Sequence, residues 1–113
     1  MKSLFFIAPS VIAALPALAD FPVVEAAEMR GSTVHVTLSH PDTGWAHYAD
    51  GWEVRAQDGQ ELGLRVLAHP HVDEQPFTRS LLLDVPDGVE ALLIRARCGR
   101  DGWGDQVFVL PLE

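Results

Sequence analysis

Apolar and polar residues alternate with a period of two along most of this chain, and no window holds a helical 3.6-residue periodicity for three turns. That pattern predicts strands. Val34, Val36 and Leu38 alternate with Thr33, His35 and Thr37, and Trp52, Val54 and Ala56 alternate with Glu53 and Arg55. Asp58-Gly59 is a hairpin turn into Leu62, Leu64 and Val66. A further strand is predicted from Phe77 to Val85, Pro86-Asp87-Gly88 turns the chain, and Leu92, Ile94 and Ala96 then alternate with Leu93, Arg95 and Arg97. Gly99 to Gly104 reads as another turn before a last strand from Val107 to Leu112, and Val23 to Ala27 supplies the first. Seven short strands with turns at this spacing predict an all-β domain, either a seven-stranded immunoglobulin-like β-sandwich or a small barrel.

The first residues follow a different rule. Lys2 is followed by an apolar run from Leu4 to Leu18, and Ala17-Leu18-Ala19 supplies the small residues of an A-x-A cleavage site. Residues 1–19 therefore read as a secretory signal peptide, and the run, broken by Pro9 and Pro16, is short for a membrane span. The expected mature chain is residues 20–113, a single domain exported to the periplasm, with no stable membrane insertion after cleavage. No cysteine follows the cleavage site that could take a lipid.

Charge narrows the partners. The chain carries 8 Lys plus Arg against 16 Asp plus Glu, a formal charge of −8, and losing Lys2 with the leader makes it −9. Nucleic acid and anionic lipid surfaces are poor partners for such a domain. Cys98 is the only cysteine, so no disulfide can form within the chain and packing must supply the stability.

Two loops concentrate costly polar groups. In His69-Pro70-His71-Val72-Asp73-Glu74-Gln75-Pro76-Phe77-Thr78-Arg79, two imidazoles, two acidic side chains before the second proline, and a guanidinium crowd one connection. If the segment is extended, His69 and His71 point to one side with Cβ atoms roughly 6.5–7 Å apart, close enough to share a copper, zinc, nickel or iron ion. The same residues can also be solvated histidines beside an ion-pair network of Asp73, Glu74 and Arg79, and such a network is equally what supports a metal-bound histidine.

The second constellation runs from His40 through Pro41, Asp42, Trp45, His47 and Tyr48 to Trp52. Trp52 is in phase with Val54 and Ala56 and reads as a core residue. Trp45 and Tyr48 are candidates to anchor a partner, or to cover the open end of the sandwich. Cys98 continues the even phase of Leu92, Ile94 and Ala96, which makes it a small buried side chain at a strand end. The alternative is a thiolate ligand or reactive thiol favoured by Arg97 and Arg100.

His40-Pro41, His47-Tyr48, Trp52 and Cys98-Gly99-Arg100-Asp101-Gly102-Trp103 together resemble the iron-binding domain of superoxide reductases, the desulfoferrodoxin group, over about residues 40 to 103. The resemblance implies a seven-stranded immunoglobulin-like fold in which histidines matching His40 and His47, and a cysteinate matching Cys98, hold iron that reduces superoxide. Two features depart from that pattern. Asp101 stands where the family has a histidine, and the step from His40 to His47 is one residue longer.

No nucleophile elbow surrounds Ser32, Ser39 or Ser80, and paired carboxylates, phosphate loops and zinc-finger spacings are absent from the sequence. The chain therefore reads as a small exported binding module, non-enzymatic, that takes a metal ion or an exported protein partner through the loop carrying His69, His71, Glu74 and Arg79. His40, His47 and Cys98 are further candidate ligands. The alternatives are a metal-free assembly module of the cell envelope and a superoxide reductase-like iron enzyme.

Overall fold

A computed structural model describes residues 19–113, so the predicted leader lies outside the described residues apart from Ala19. Eight strands follow in order: β1 (Val23–Arg30), β2 (Thr33–Ser39), β3 (Ala49–Ala56), β4 (Glu61–Val66), β5 (Phe77–Leu82), β6 (Ala91–Cys98), β7 (Gly102–Trp103) and β8 (Phe108–Pro111). Each of the seven predicted strands has its counterpart. The eighth, β7, is a two-residue strand inside the stretch read as a turn, where Gly102 and Trp103 pair with Cys98 and Arg97.

All pairings are antiparallel, in two sheets. One has the order β1-β2-β5; the other has the order β4-β3-β6, with β7 and β8 both pairing β6. No hydrogen-bonded ladder joins the two sheets, so the barrel alternative is corrected to two open sheets packed over one core. Where β4 approaches β5, side chains make the contact: a Cβ on Gly63 would stand 2.7 Å from a Leu81 methyl and 2.9 Å from one of Leu83.

The period of two decides what is buried. Val34, Val36 and Leu38 of β2 face Trp52, Val54 and Ala56 of β3 and Leu92, Ile94 and Ala96 of β6, all at most 3% exposed. Full burial contributes about 1.5–3 kcal/mol for each large apolar side chain, which is how a chain without a disulfide stays folded. Central β3 is covered on its outer face as well. Glu53 lies there at 3% exposure, its carboxylate paired at 3.0 Å with both Arg55 and Arg95, while the Arg95 guanidinium lies over the Trp103 ring. A buried carboxylate is tolerated because two cations and the arginine stems enclose it.

Gly63→Val tests the close approach of the sheets. It should lower unfolding stability by about 1–3 kcal/mol in urea titrations, because the leucines behind it must move. An unchanged midpoint would mean that β4 and β5 are not held together there.

Candidate metal centre

Strand alternation carries two candidate ligands inward at the same end of the molecule. His40 follows Leu38 by two residues just past the end of β2, and Cys98 follows Ala96 by two as the last residue of β6. Both are buried, His40 at 3% and Cys98 at 0%. Ala49, the first residue of β3, pairs with Cys98, so the loop between β2 and β3 must arch over the thiol. Within it, a tight turn with hydrogen bonds from Thr43 N–H to the His47 carbonyl and from His47 N–H to the Gly44 carbonyl brings His47 back to His40. Gly44 sits at φ +146°, a backbone conformation that suits glycine.

His40, His47 and Cys98 each offer a ligand atom, and these atoms lie within 4.8 Å of one another. Atoms sharing one ion through bonds of about 2.0–2.3 Å stand up to about 4.4 Å apart, so a small contraction would bring the three onto a common metal. The two imidazoles meet edge to face with centroids 4.7 Å apart. Nε2 of His47 is buried and has no hydrogen-bond partner. An unpaired buried nitrogen is costly, and a bound cation would satisfy it.

His40 is held from both sides. Nδ1 lies 2.5 Å from Asp42 Oδ1 and Nε2 lies 2.6 Å from the Asp20 carbonyl oxygen. A carbonyl can only accept, so Nε2 carries a hydrogen, and Nδ1 and Asp42 share another. The Asp42 side chain is wholly buried. Besides His40, its oxygens accept the Ala49 N–H at 2.9 Å and the His71 N–H at 2.8 Å.

Asp101 borders the cluster. Its Oδ2 lies 3.8 Å from His47 Nε2 and accepts from Cys98 Sγ at 3.9 Å and from the Asp20 N–H at 3.0 Å. Hydrogen bonds from the Arg100 guanidinium, and then from the Asp20 backbone, hold its carboxyl down to about 2. An oxygen donor therefore stands ionised at the margin of the site. Arg97 turns away from the thiol to Asp50 and Trp103.

The loop between β4 and β5 forms a second, adjoining group. His69 and His71 do lie together, ring centroids 4.6 Å apart, yet His69 is exposed with Nδ1 on the Pro70 carbonyl. His71 is buried, stacked flat on Phe77 at 3.9 Å, and its Nε2 lies 2.9 Å from an Arg79 nitrogen. Burial first, and then the Arg79 charge, lower the His71 pKa below its ordinary value, which leaves Nε2 free to accept from Arg79. Arg79 also binds Glu74 at 3.1 Å, and that bond pulls the Glu74 pKa down. A guanidinium occupies His71 Nε2, while Nδ1 of that ring is buried and has no hydrogen-bond partner. Among the described residues the three-ligand group is His40, His47 and Cys98, without His69 or His71.

The loops meet through residues that were not singled out as ligands. Asp42 bonds His40 and the His71 backbone, while Gln75 accepts the His40 N–H at 2.9 Å and donates to the His71 carbonyl at 2.8 Å. Trp45 projects outward at 68% exposure and meets half-buried Tyr48 edge to face at 5.6 Å. Trp52 is fully buried, as its phase predicts.

No family model matches the chain, and no solved structure matches it. A protein of Halomicrobium mukohataei described as "Putative lipoprotein" is 38% identical over 90 residues, an alignment that covers 80% of this chain and 44% of the relative. The chain thus spans less than half the length of that relative.

Asp42→Ala removes the acceptor of three donors at once and leaves an imidazole unpaired in the interior. It should cost about 3–5 kcal/mol of unfolding stability, the scale of breaking a buried charge pair. Glu74→Ala, at an exposed pair, should leave stability almost unchanged. Equal effects of the two substitutions would remove Asp42 from its organising role.

Proposed function

We propose that this chain is an exported domain of immunoglobulin-like type that takes up a transition-metal ion through His40, His47 and Cys98. The observation that carries the reading is the buried cluster itself, three ligand-type atoms within 4.8 Å, in which His47 also carries a buried, unpartnered Nε2. Two imidazoles and one thiolate are a donor set suited to copper or zinc, since thiolate and imidazole both serve these ions. The ion would fix the His47 ring and deprotonate the thiol. Asp42 already takes the position of the carboxylate that orients a metal-bound histidine from its far nitrogen. Export is supported by the leader pattern of residues 1–19 and by the name of the relative from Halomicrobium mukohataei.

A second reading keeps iron and superoxide. It is favoured by one observation: the residues that match the superoxide reductase pattern, His40, His47 and Cys98, come together in space although the first and last are 58 positions apart in the chain. The resemblance implies four histidines about the iron, whereas the cluster holds two, with the Asp101 carboxylate alongside. A site of lower nitrogen count favours binding or electron transfer over that enzyme.

Titration of the metal-free protein with zinc, cuprous copper and ferrous iron separates these readings. One equivalent of zinc or copper should bind, and His47→Ala or Cys98→Ser should weaken it by at least about tenfold, the scale on which lost ligand interactions register. His69→Ala should leave affinity within about twofold, as expected of a side chain outside the ligand set. Loss of binding in His69→Ala with none in His47→Ala would overturn the assignment. Superoxide consumption by the iron-loaded protein that depends on Cys98 would favour the second reading.

A further inference from the structure

The cluster is sealed: the side chains of His40 and Asp42 have no exposed surface, Cys98 has none, and that of His47 is 9% exposed. An ion reaching it must displace something. His40 can offer Nδ1 only by giving up Asp42, whose carboxylate also holds Ala49 and His71. It can offer Nε2 by giving up a single bond, to the carbonyl of Asp20. Asp20 is itself exposed while the imidazole beneath it is buried, so the cover over this nitrogen is one residue thick.

We infer that Asp20 is a backbone latch on the cluster, held shut at its nitrogen and at its carbonyl and opened when a metal takes His40 Nε2. Its carbonyl oxygen closes on His40 at 2.6 Å, and its nitrogen, the α-amino group of the chain once residues 1–19 are removed, closes at 3.0 Å on Asp101, the carboxylate that also faces His47 and Cys98. Phe21 seats the latch. Its Cβ lies where a Cβ on Gly104 would come to 3.1 Å, so the absence of a side chain at position 104 makes its berth. Val24 anchors the segment further along, its N–H and carbonyl both bonded to the Gln106 amide at 2.9 and 3.2 Å. A firm hinge at Val24 and two single bonds at Asp20 make a strap that can lift locally without unfolding β1. Contacts so few put its opening at the low end of local stabilities.

The proposal rests on the cluster being a metal site, but the latch can be read without metal. Cys98 lies beneath it as the lone thiol, so its alkylation by iodoacetamide in the metal-free mature protein, residues 20–113, reports opening. The unmodified protein should react far more slowly than in urea. Phe21→Ala, and to a smaller degree the milder Phe21→Leu, should raise the rate, the first by roughly tenfold, while the thermal transition stays cooperative. Exposed Val109→Ala on β8 should not raise it. Folded Phe21→Ala and Phe21→Leu proteins alkylated no faster than the unmodified one would overturn the latch; if the alanine variant fails to fold, the leucine variant decides alone.

Zinc then gives the second arm. With one equivalent bound to the unmodified protein, the carbonyl carbon resonance of Asp20 should shift while the amides of Ala49 and His71, which report on Asp42, stay in place. Movement of those two amides with Asp20 unchanged would show that the ion comes in past Asp42, contrary to the proposal. Failure of zinc and copper to bind would count against the metal reading, and the alkylation rates would still decide the latch.

Discussion

The carboxylate of Asp42 is the interaction on which the end of this molecule depends, because it gathers three donors that come from separate parts of the chain. It bonds the His40 ring at the end of β2, the backbone of Ala49 at the start of β3, and the backbone of His71 in the loop between β4 and β5. A wholly buried carboxylate is unfavourable unless its lone pairs are used. The environment here uses them, and the result is rigid: His40 cannot rotate without disturbing two loops. Gln75 repeats the bridge with a neutral side chain.

This locked frame explains why neighbouring histidines differ in chemical availability. His71 has its Nε2 on Arg79 and its ring face on Phe77, its unpartnered Nδ1 belongs to no three-ligand group among the described residues, and His69 lies at the surface. His47 has a buried nitrogen with nothing attached, next to the one thiol of the chain and an ionised carboxylate. Asp101 supplies an ionised carboxylate at the margin, which it shares with the Arg100 guanidinium. The fold pays little for this arrangement because β2 and β6 end at the same level, where the core gives way to loops.

Most of the sheet framework was legible, since period two in Val34, Val36 and Leu38 and in Leu92, Ile94 and Ala96 is a local property of each strand. Two-residue β7 was not, because Gly102 and Trp103 make too short a pattern to separate from a turn. The same alternation, carried one step further, marks His40 and Cys98 as inward-facing. The polar residues of the His69 loop are divided in the fold: Arg79 joins His71 and Glu74, while Gln75 and the His71 N–H reach His40 and Asp42. Asp42 left no local signal: its role depends on the loops converging, which is set by pairings between residues tens of positions apart. The proximity of His40, His47 and Cys98, and the contacts of Asp101 and Asp20, depend on which loops the sheets bring to one end, and spacing along the chain does not carry that.

X-ray absorption on the protein loaded with one equivalent of zinc addresses the central claim most directly, because it counts the atoms around the ion. The account predicts one sulfur at about 2.3 Å and imidazole nitrogens at about 2.0 Å, with the sulfur lost in Cys98→Ser. A shell of nitrogen and oxygen alone, unchanged by that substitution, would contradict it.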